Sequence, residues 1–226
     1  MSGRTRGKWS VYLHLARLFA LKWARTAAGF TLGVTLAYPW RSMFAYLETP
    51  APRHEHDFLL AVVRSRRLHG SWVTAPRSSA EYRLYIKERR GPRNYKHFVC
   101  DELGQLCGVM NLSEVVRGSF QSAYLGYYAL APHAGKGFMS AGLSLVLERA
   151  FGELGLHRVE ANIQPKNQRS IELVKRAGFR CEGLSPRYLK IAGRWRDHER
   201  WAITAEEHLK PRAVASKTAK RQIAAQ

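Results

Sequence analysis

Between residues 43 and 204 the apolar positions of the chain switch repeatedly between two periods. Spacings of three and four residues mark helices, and alternation marks strands. A strand is predicted over residues 43–47. A helix follows over 56–67, with Phe58, Leu59, Val62 and Val63 inward and a basic end at Arg64, Arg66 and Arg67 that suits the helix dipole. A second helix is predicted over 80–89, with Tyr82, Tyr85 and Ile86 inward, and Trp72 and Pro76 lie in the loop between the two. Residues 97–100 and 106–112 read as the arms of a hairpin around 101–105. The run 123–130 is aromatic and apolar, as in a partly buried strand. After it Met139, Leu143, Val146, Leu147, Ala150, Phe151 and Leu154 fall on one helical face.

Strict alternation returns at 157–163, where Val159, Ala161 and Ile163 share one face and Glu160 and Asn162 the other. Pro165 bars a helix before Asn167, which is placed as an N-cap. Ile171, Val174 and Ala177 mark the buried face of the next helix, closed by Gly178 in the left-handed position after the cap. Residues 179–183 begin another extended segment, and a final hairpin turns near Gly193.

The junction at Pro132-His133-Ala134-Gly135-Lys136-Gly137-Phe138-Met139-Ser140 joins a strand to a helix through two glycines. A turn that opens a helix presents free N–H groups at the positive end of the helix dipole, which is phosphate-binding geometry. Glycine lets the backbone approach the oxygens, and Lys136 adds charge. There is no Gly-x-x-x-x-Gly-Lys-Ser/Thr run and no Gly-x-Gly-x-x-Gly followed by an acid about twenty residues later, so Walker and Rossmann loops are excluded.

Four segments of this chain resemble the GNAT superfamily of acetyl-CoA-dependent N-acetyltransferases, over about residues 43–204. They are Ala134-Gly135-Lys136-Gly137-Phe138-Met139, Asn167-Gln168-Arg169-Ser170, Ala177-Gly178-Phe179-Arg180-Cys181-Glu182-Gly183 and Gly193-Arg194-Trp195-Arg196-Asp197-His198. The similarity is closest to the branch that acetylates N-terminal alanine or serine of ribosomal proteins. It implies an α/β (α+β) fold, the GNAT acyl-CoA N-acyltransferase fold, with a mixed, mostly antiparallel central sheet flanked by helices. It implies acetyl-CoA as acetyl donor and no metal. Ala134, Gly135, Lys136, Gly137, Phe138 and Met139 would hold the pyrophosphate, and Asn167 the pantetheine arm. The main chain of Tyr128, Ala129 and Leu130 would polarise the thioester carbonyl, as an oxyanion hole does. Ser170 would face the sulfur, and the region between the first two helices, with Trp72, would line the acceptor groove.

The chain departs from the family in three places. Ala134 replaces a common glutamine or arginine of the loop. Val174 stands seven residues after Asn167, where many relatives place a tyrosine acid, and Arg187 stands where some members of the branch carry a glutamate. Glu160, Asp197 and His198 remain as candidate bases, with Glu160 preferred. A strong base is dispensable for an α-amine. Its pKa of about 7.7–8.0, against about 10.4 for lysine, leaves roughly 300-fold more neutral amine at pH 7, worth about 3.4 kcal/mol.

Charge and cysteines refine this reading. The chain has 226 residues and a net charge of +20. Residues 1–47 hold seven bases and no acid, and residues 209–226 hold five bases and no acid. Basic ends of this kind suit RNA, the ribosome or an anionic membrane surface. The organisation expected is a basic amphipathic extension over 1–41, an acetyltransferase domain over 42–206 and a basic disordered tail over 207–226. Arg17, Lys22 and Arg25 interrupt every twenty-residue apolar window in the extension, and Met43 offers an alternative start. Three cysteines without a Cys-x-x-Cys pair suit reduced thiols in the cytoplasm. A protein N-terminus, such as that of a ribosomal protein, is the expected acceptor, and a monomer or homodimer the expected state. The alternatives are a small amine (an antibiotic or polyamine) as acceptor, or an inactive acyl-CoA-binding module anchored to RNA or membrane.

Overall fold

A computed structural model describes residues 44–87, 91 and 93–209, so the expected 1–41 extension and nearly all of the basic tail lie outside the described residues. Seven strands form one sheet in the order β1-β2-β3-β4-β5-β7-β6. They are β1 (Ala45–Glu48), β2 (Tyr95–Asp101), β3 (Leu106–Val116), β4 (Ser122–Ala129), β5 (Arg158–Ile163), β6 (Arg180–Ile191) and β7 (Arg194–Thr204). Every pairing is antiparallel except β4 with β5. The mixed, mostly antiparallel sheet expected from the sequence is therefore present.

Two apolar layers cover the sheet. On one face α1 (Glu55–Arg64), α2 (Arg66–His69) and α3 (Ser79–Lys87) enclose Phe58, Val62, Tyr82, Ile86, Phe98 and Val109. On the other, α4 (Phe138–Glu148) and α5 (Gln168–Arg176) enclose Val99, Met110, Leu143, Val146, Val159 and Ile171. The alternation read in β5 is exact in outcome: Val159, Ala161 and Ile163 are buried, and Arg158, Glu160 and Asn162 are half-buried. A final helix, α6 (Ala205–Leu209), follows β7.

Two expected helices are interrupted. The helix predicted over 56–67 breaks at Ser65, whose Oγ donates to Ala61 O at 2.6 Å and accepts the N–H of Ala131 at 2.8 Å. A buried serine hydroxyl that competes for a helical carbonyl loosens the helix there, and here it ties the helix end to the β4–α4 connection. The apolar period from Met139 to Leu154 is real, but its last turn, Arg149–Glu153, widens to a π-helix.

Helix α4 crosses β2 closely because Gly142 has no side chain. A Cβ there would lie 2.4 Å from Val99 Cγ2, and Val99 is fully buried. Gly142→Ala should therefore destabilise the fold by about 1–2 kcal/mol. Overpacking costs ~1–3 kcal/mol, which exceeds the ~1 kcal/mol that alanine gains in a helix interior. Urea denaturation of the two proteins measures the difference.

His97 is buried between β3 and the end of α4. Its Nδ1 donates to Met110 O at 3.1 Å, and its Nε2 accepts from Arg149 Nη1 at 2.8 Å. Burial and then the Arg149 guanidinium lower its pKa from 6.5 to about 4, against smaller opposing effects of Met110 O and Glu153. The neutral ring is the folded form, so its contribution is fully present above pH 6.5 and is lost as pH falls through about 4. At about 1.36 kcal/mol per pKa unit this is worth about 3 kcal/mol. His97→Gln should flatten the decline in unfolding free energy between those pH values, measured by urea titration at each pH.

Candidate functional site

Strands β4 and β5 run side by side for only three residue pairs, from Ser122–Arg158 to Tyr124–Glu160. Beyond Tyr124 they part, which leaves one side of the β4 main chain without a strand partner. Leu130 donates its N–H to Cys107 O at 2.9 Å. Peptide groups alternate along an antiparallel ladder, so Tyr128 also turns its N–H toward β3, and the N–H groups of Tyr127 and Ala129 face the split. Of the three expected main-chain donors, only Ala129 is aimed into the gap. Tyr128 and Leu130 are spent on the sheet, and Leu130 is fully buried.

A cleft of about 1100 Å³ opens at this split. One end is the turn into α4, with Ala134, Gly135, Gly137 and Met139 on its wall. Gly135 and Gly137 have φ of 79° and 92°, a left-handed backbone that glycine adopts without strain. Gly137 is the N-cap of α4, and its carbonyl takes the N–H groups of Ser140 and Ala141. The earlier N–H groups of the helix have no intrahelical acceptor. Lys136 is exposed beside the turn and Phe138 packs its ring on His133, with 5.6 Å between centroids; neither side chain is part of the wall.

Opposite the turn, Asn167 caps α5 by accepting the Ser170 N–H at 3.3 Å, as its position in the sequence predicted. Ser170 lines the cleft one turn in, and its Oγ is 2.5 Å from the hydroxyl of Tyr127, which also lies 3.2 Å from Ser170 O. Burial holds the Tyr127 phenol well above its ordinary pKa, only partly offset by Ser170, so it stays protonated. Sequence reading missed this partner. The available signal was the pair Tyr127-Tyr128: adjacent strand residues must face opposite sides of a sheet, so one of the two had to reach the α5 side.

His69 was also missed. It is buried at the end of α2, and its Nε2 donates to Ala129 O at 2.8 Å, which leaves Nδ1 without the proton in the neutral ring. Desolvation is the main cause lowering its pKa, with a smaller contribution from Arg77. His69 therefore pins the carbonyl of Ala129, whose N–H faces the split. Trp72 also lines the cleft.

The expected bases are elsewhere. Glu160 is absent from the cleft wall; its carboxylate accepts from Arg158 Nε at 2.8 Å, and Arg158 is held in turn by Glu182. Asp197 accepts the N–H of Arg187 at 2.7 Å, and His198 is buried with Nδ1 on Arg196 O. These groups are committed to structure. The charged residues on the cleft wall are Arg67, Lys166, Arg169, Arg176 and the single carboxylate Glu172, a balance suited to a polyanion.

Beside the turn, Asp101, Cys107 and His133 bring potential metal-ligand atoms within 4.8 Å of one another. Burial, then Asp101, pushes the Cys107 thiol up to about 12, and Asp101 Oδ1 already accepts the N–H groups of Leu103 and Gln105.

A family model described as an acetyltransferase (GNAT) domain matches residues 46–180. The chain is 42% identical over 103 residues to the [ribosomal protein uS5]-alanine N-acetyltransferase of Escherichia coli, a match covering 46% of this chain and 53% of that protein. It is 25% identical over 159 residues to the spermidine N(1)-acetyltransferase of Vibrio cholerae, covering 70% of this chain and 91% of the relative. Among solved structures, Mycobacterium smegmatis RimJ in complex with CoA-disulfide superposes with a TM-score of 0.69 at 28% identity, over 74% of this chain and 84% of that one. The chain spans about half the length of two of the curated relatives it matches, 55% and 53%.

Proposed function

The chain belongs to the GNAT acetyltransferase family, and from that premise we propose that it transfers an acetyl group from acetyl-CoA to the N-terminal α-amine of a protein. The observation that carries this reading is the split between β4 and β5. It brings the free Ala129 N–H, the Ser170–Tyr127 hydroxyl pair and a helix-opening glycine turn onto one cleft. The turn and the cleft's cations suit the phosphates of acetyl-CoA. The Ala129 N–H suits the thioester oxygen, where charge develops as the amine attacks. Carbon–sulfur bond breakage then releases coenzyme A as a thiol, with the amine's lost proton made up at sulfur. Ser170 Oγ–H is the hydrogen-bond donor for that sulfur.

The acceptor class follows from what the cleft lacks. Its wall has four cationic side chains and one carboxylate, an unfavourable lining for a polyamine that carries two or three positive charges. Its single carboxylate, Glu172, is exposed and paired with Arg176, which favours an amine already partly neutral at pH 7. In this reading the protein works among reduced thiols in the cytoplasm, as a ribosomal-protein acetyltransferase would.

The test pairs two measurements on the full chain. Calorimetric titration with acetyl-CoA should show saturable binding, and acetyl transfer should be faster to peptides beginning with alanine or serine than to spermidine. Binding without transfer to any amine would reduce the protein to an acyl-CoA-binding module. Transfer to spermidine alone would assign it a polyamine acceptor.

A further inference from the structure

Tyr128 and Tyr127 leave β4 on opposite faces of the sheet, and only Tyr127 has a hydroxyl partner. The Tyr128 hydroxyl is fully buried and makes no hydrogen bond. An orphaned buried hydroxyl costs about 1–3 kcal/mol, so a side chain without that oxygen would serve the fold better. The ring of Tyr128 lines the acetyl-transfer cleft and also a second pocket of about 390 Å³ on the α1–α3 side of the sheet. Tyr128 shares the wall of this second pocket with Tyr85. The imidazole of His69 holds the ring edge-on at 5.2 Å between centroids.

The second pocket is rich in donors. Asn111 uses its Oδ1 to accept the Tyr85 hydroxyl at 3.1 Å, which turns its amide nitrogen elsewhere. Ser113 lies two residues on along β3, and Lys96 crosses the Tyr85 ring while donating to Tyr85 O at 2.9 Å. Beyond Ser113 the β3–β4 register shifts, and Glu114 adopts a φ of 50°, exposed on the pocket's border. Amide nitrogen and hydroxyls call for oxygen acceptors. A peptide supplies carbonyl oxygens immediately after its α-amine, whereas a protonated polyamine brings further donors and positive charge.

We infer that this pocket binds the first main-chain carbonyl groups of the acceptor peptide, with the Tyr128 hydroxyl as donor, and so discriminates peptide termini from simple amines. The inference rests on the acetyl-transfer reading above. Tyr128 would then act from the strand residue adjoining the Ala129 N–H, placing the acceptor amine across the split from the thioester.

The test compares kcat/KM for a tetrapeptide beginning with alanine and for ethylamine, a primary amine with no carbonyl, in the full-length protein. Tyr128→Phe should lower the peptide-to-ethylamine ratio at least tenfold, as loss of one buried hydrogen bond to substrate predicts. Its melting temperature should be no lower than that of the parent, because no partner is lost. Ser113→Ala should lower the ratio at least threefold, and it decides the matter if Tyr128→Phe does not fold. An unchanged ratio with peptide transfer intact would overturn the pocket assignment and leave the acetyl-transfer reading standing. Absence of transfer to any amine, or transfer to spermidine but not to the peptide, would overturn both.

Discussion

Replacing Ser170 with alanine should lower kcat for acetyl transfer by about a hundredfold while acetyl-CoA affinity changes less than threefold. The size follows from removing a positioned donor, which contributes ~10²–10⁴-fold in such reactions. The separation of the two effects follows from the geometry. The cap that orders α5 runs from Asn167 Oδ1 to the Ser170 main-chain N–H and survives the substitution. Tyr127→Phe should reproduce roughly a tenfold part of the loss. Either oxygen of the 2.5 Å Tyr127–Ser170 pair can donate, and when Tyr127 does so the serine hydrogen is free to point into the cleft. Without that donor the serine hydroxyl can turn away. Stopped-flow or steady-state rates, with calorimetric Kd values alongside, separate the terms. An unchanged kcat in Ser170→Ala would leave that residue to helix structure alone.

The neighbouring tyrosines also show what was legible in the residues and what was not. Elements governed by local pattern read directly. The β5 alternation, the Asn167 cap and the Gly178 C-terminal turn, with φ of 93° and the Phe179 N–H on Val174 O, all lie where their residue types require. The site depends on pairings distant in sequence. That β4 and β5 separate after Tyr124 is set by three register pairs between segments more than thirty residues apart, and no spacing within either strand records it. For the same reason Leu130 looked available as a main-chain donor until Cys107 was placed beside it. Glu160 was attractive because it sits on the polar face of its strand. That face meets Arg158 and the Glu182 it shares, so the polar position holds an ion pair off the cleft wall. Likewise, the missing tyrosine at Val174 is offset from another strand, where Tyr127 approaches Ser170 through space.

The other large effect should come from the turn into α4. Gly137→Val should weaken acetyl-CoA binding by at least tenfold. A left-handed residue with a branched Cβ costs about 1–2 kcal/mol, and relief of that strain rotates the peptide groups that open the helix. Gly137 has φ of 92° and borders the cleft, so both the strain and the rotation fall where phosphate would bind. Lys136→Ala should have a smaller effect, about threefold and diminishing with added salt, because Lys136 is exposed and its charge is screened. Calorimetry at two salt concentrations distinguishes a backbone cradle from a surface charge. Equal losses for the two variants would mean that charge, not main-chain geometry, dominates.

The central claim is that the β4–β5 split and the glycine turn form one binding site for acetyl-CoA. Titration of isotope-labelled protein with acetyl-CoA, followed through backbone amide resonances, tests it at individual residues. The expected result is saturable shifts concentrated at Ala129, Gly135, Gly137, Phe138, Met139 and Ser170. Shifts confined to surfaces remote from those amides, or no saturable response at all, would contradict it.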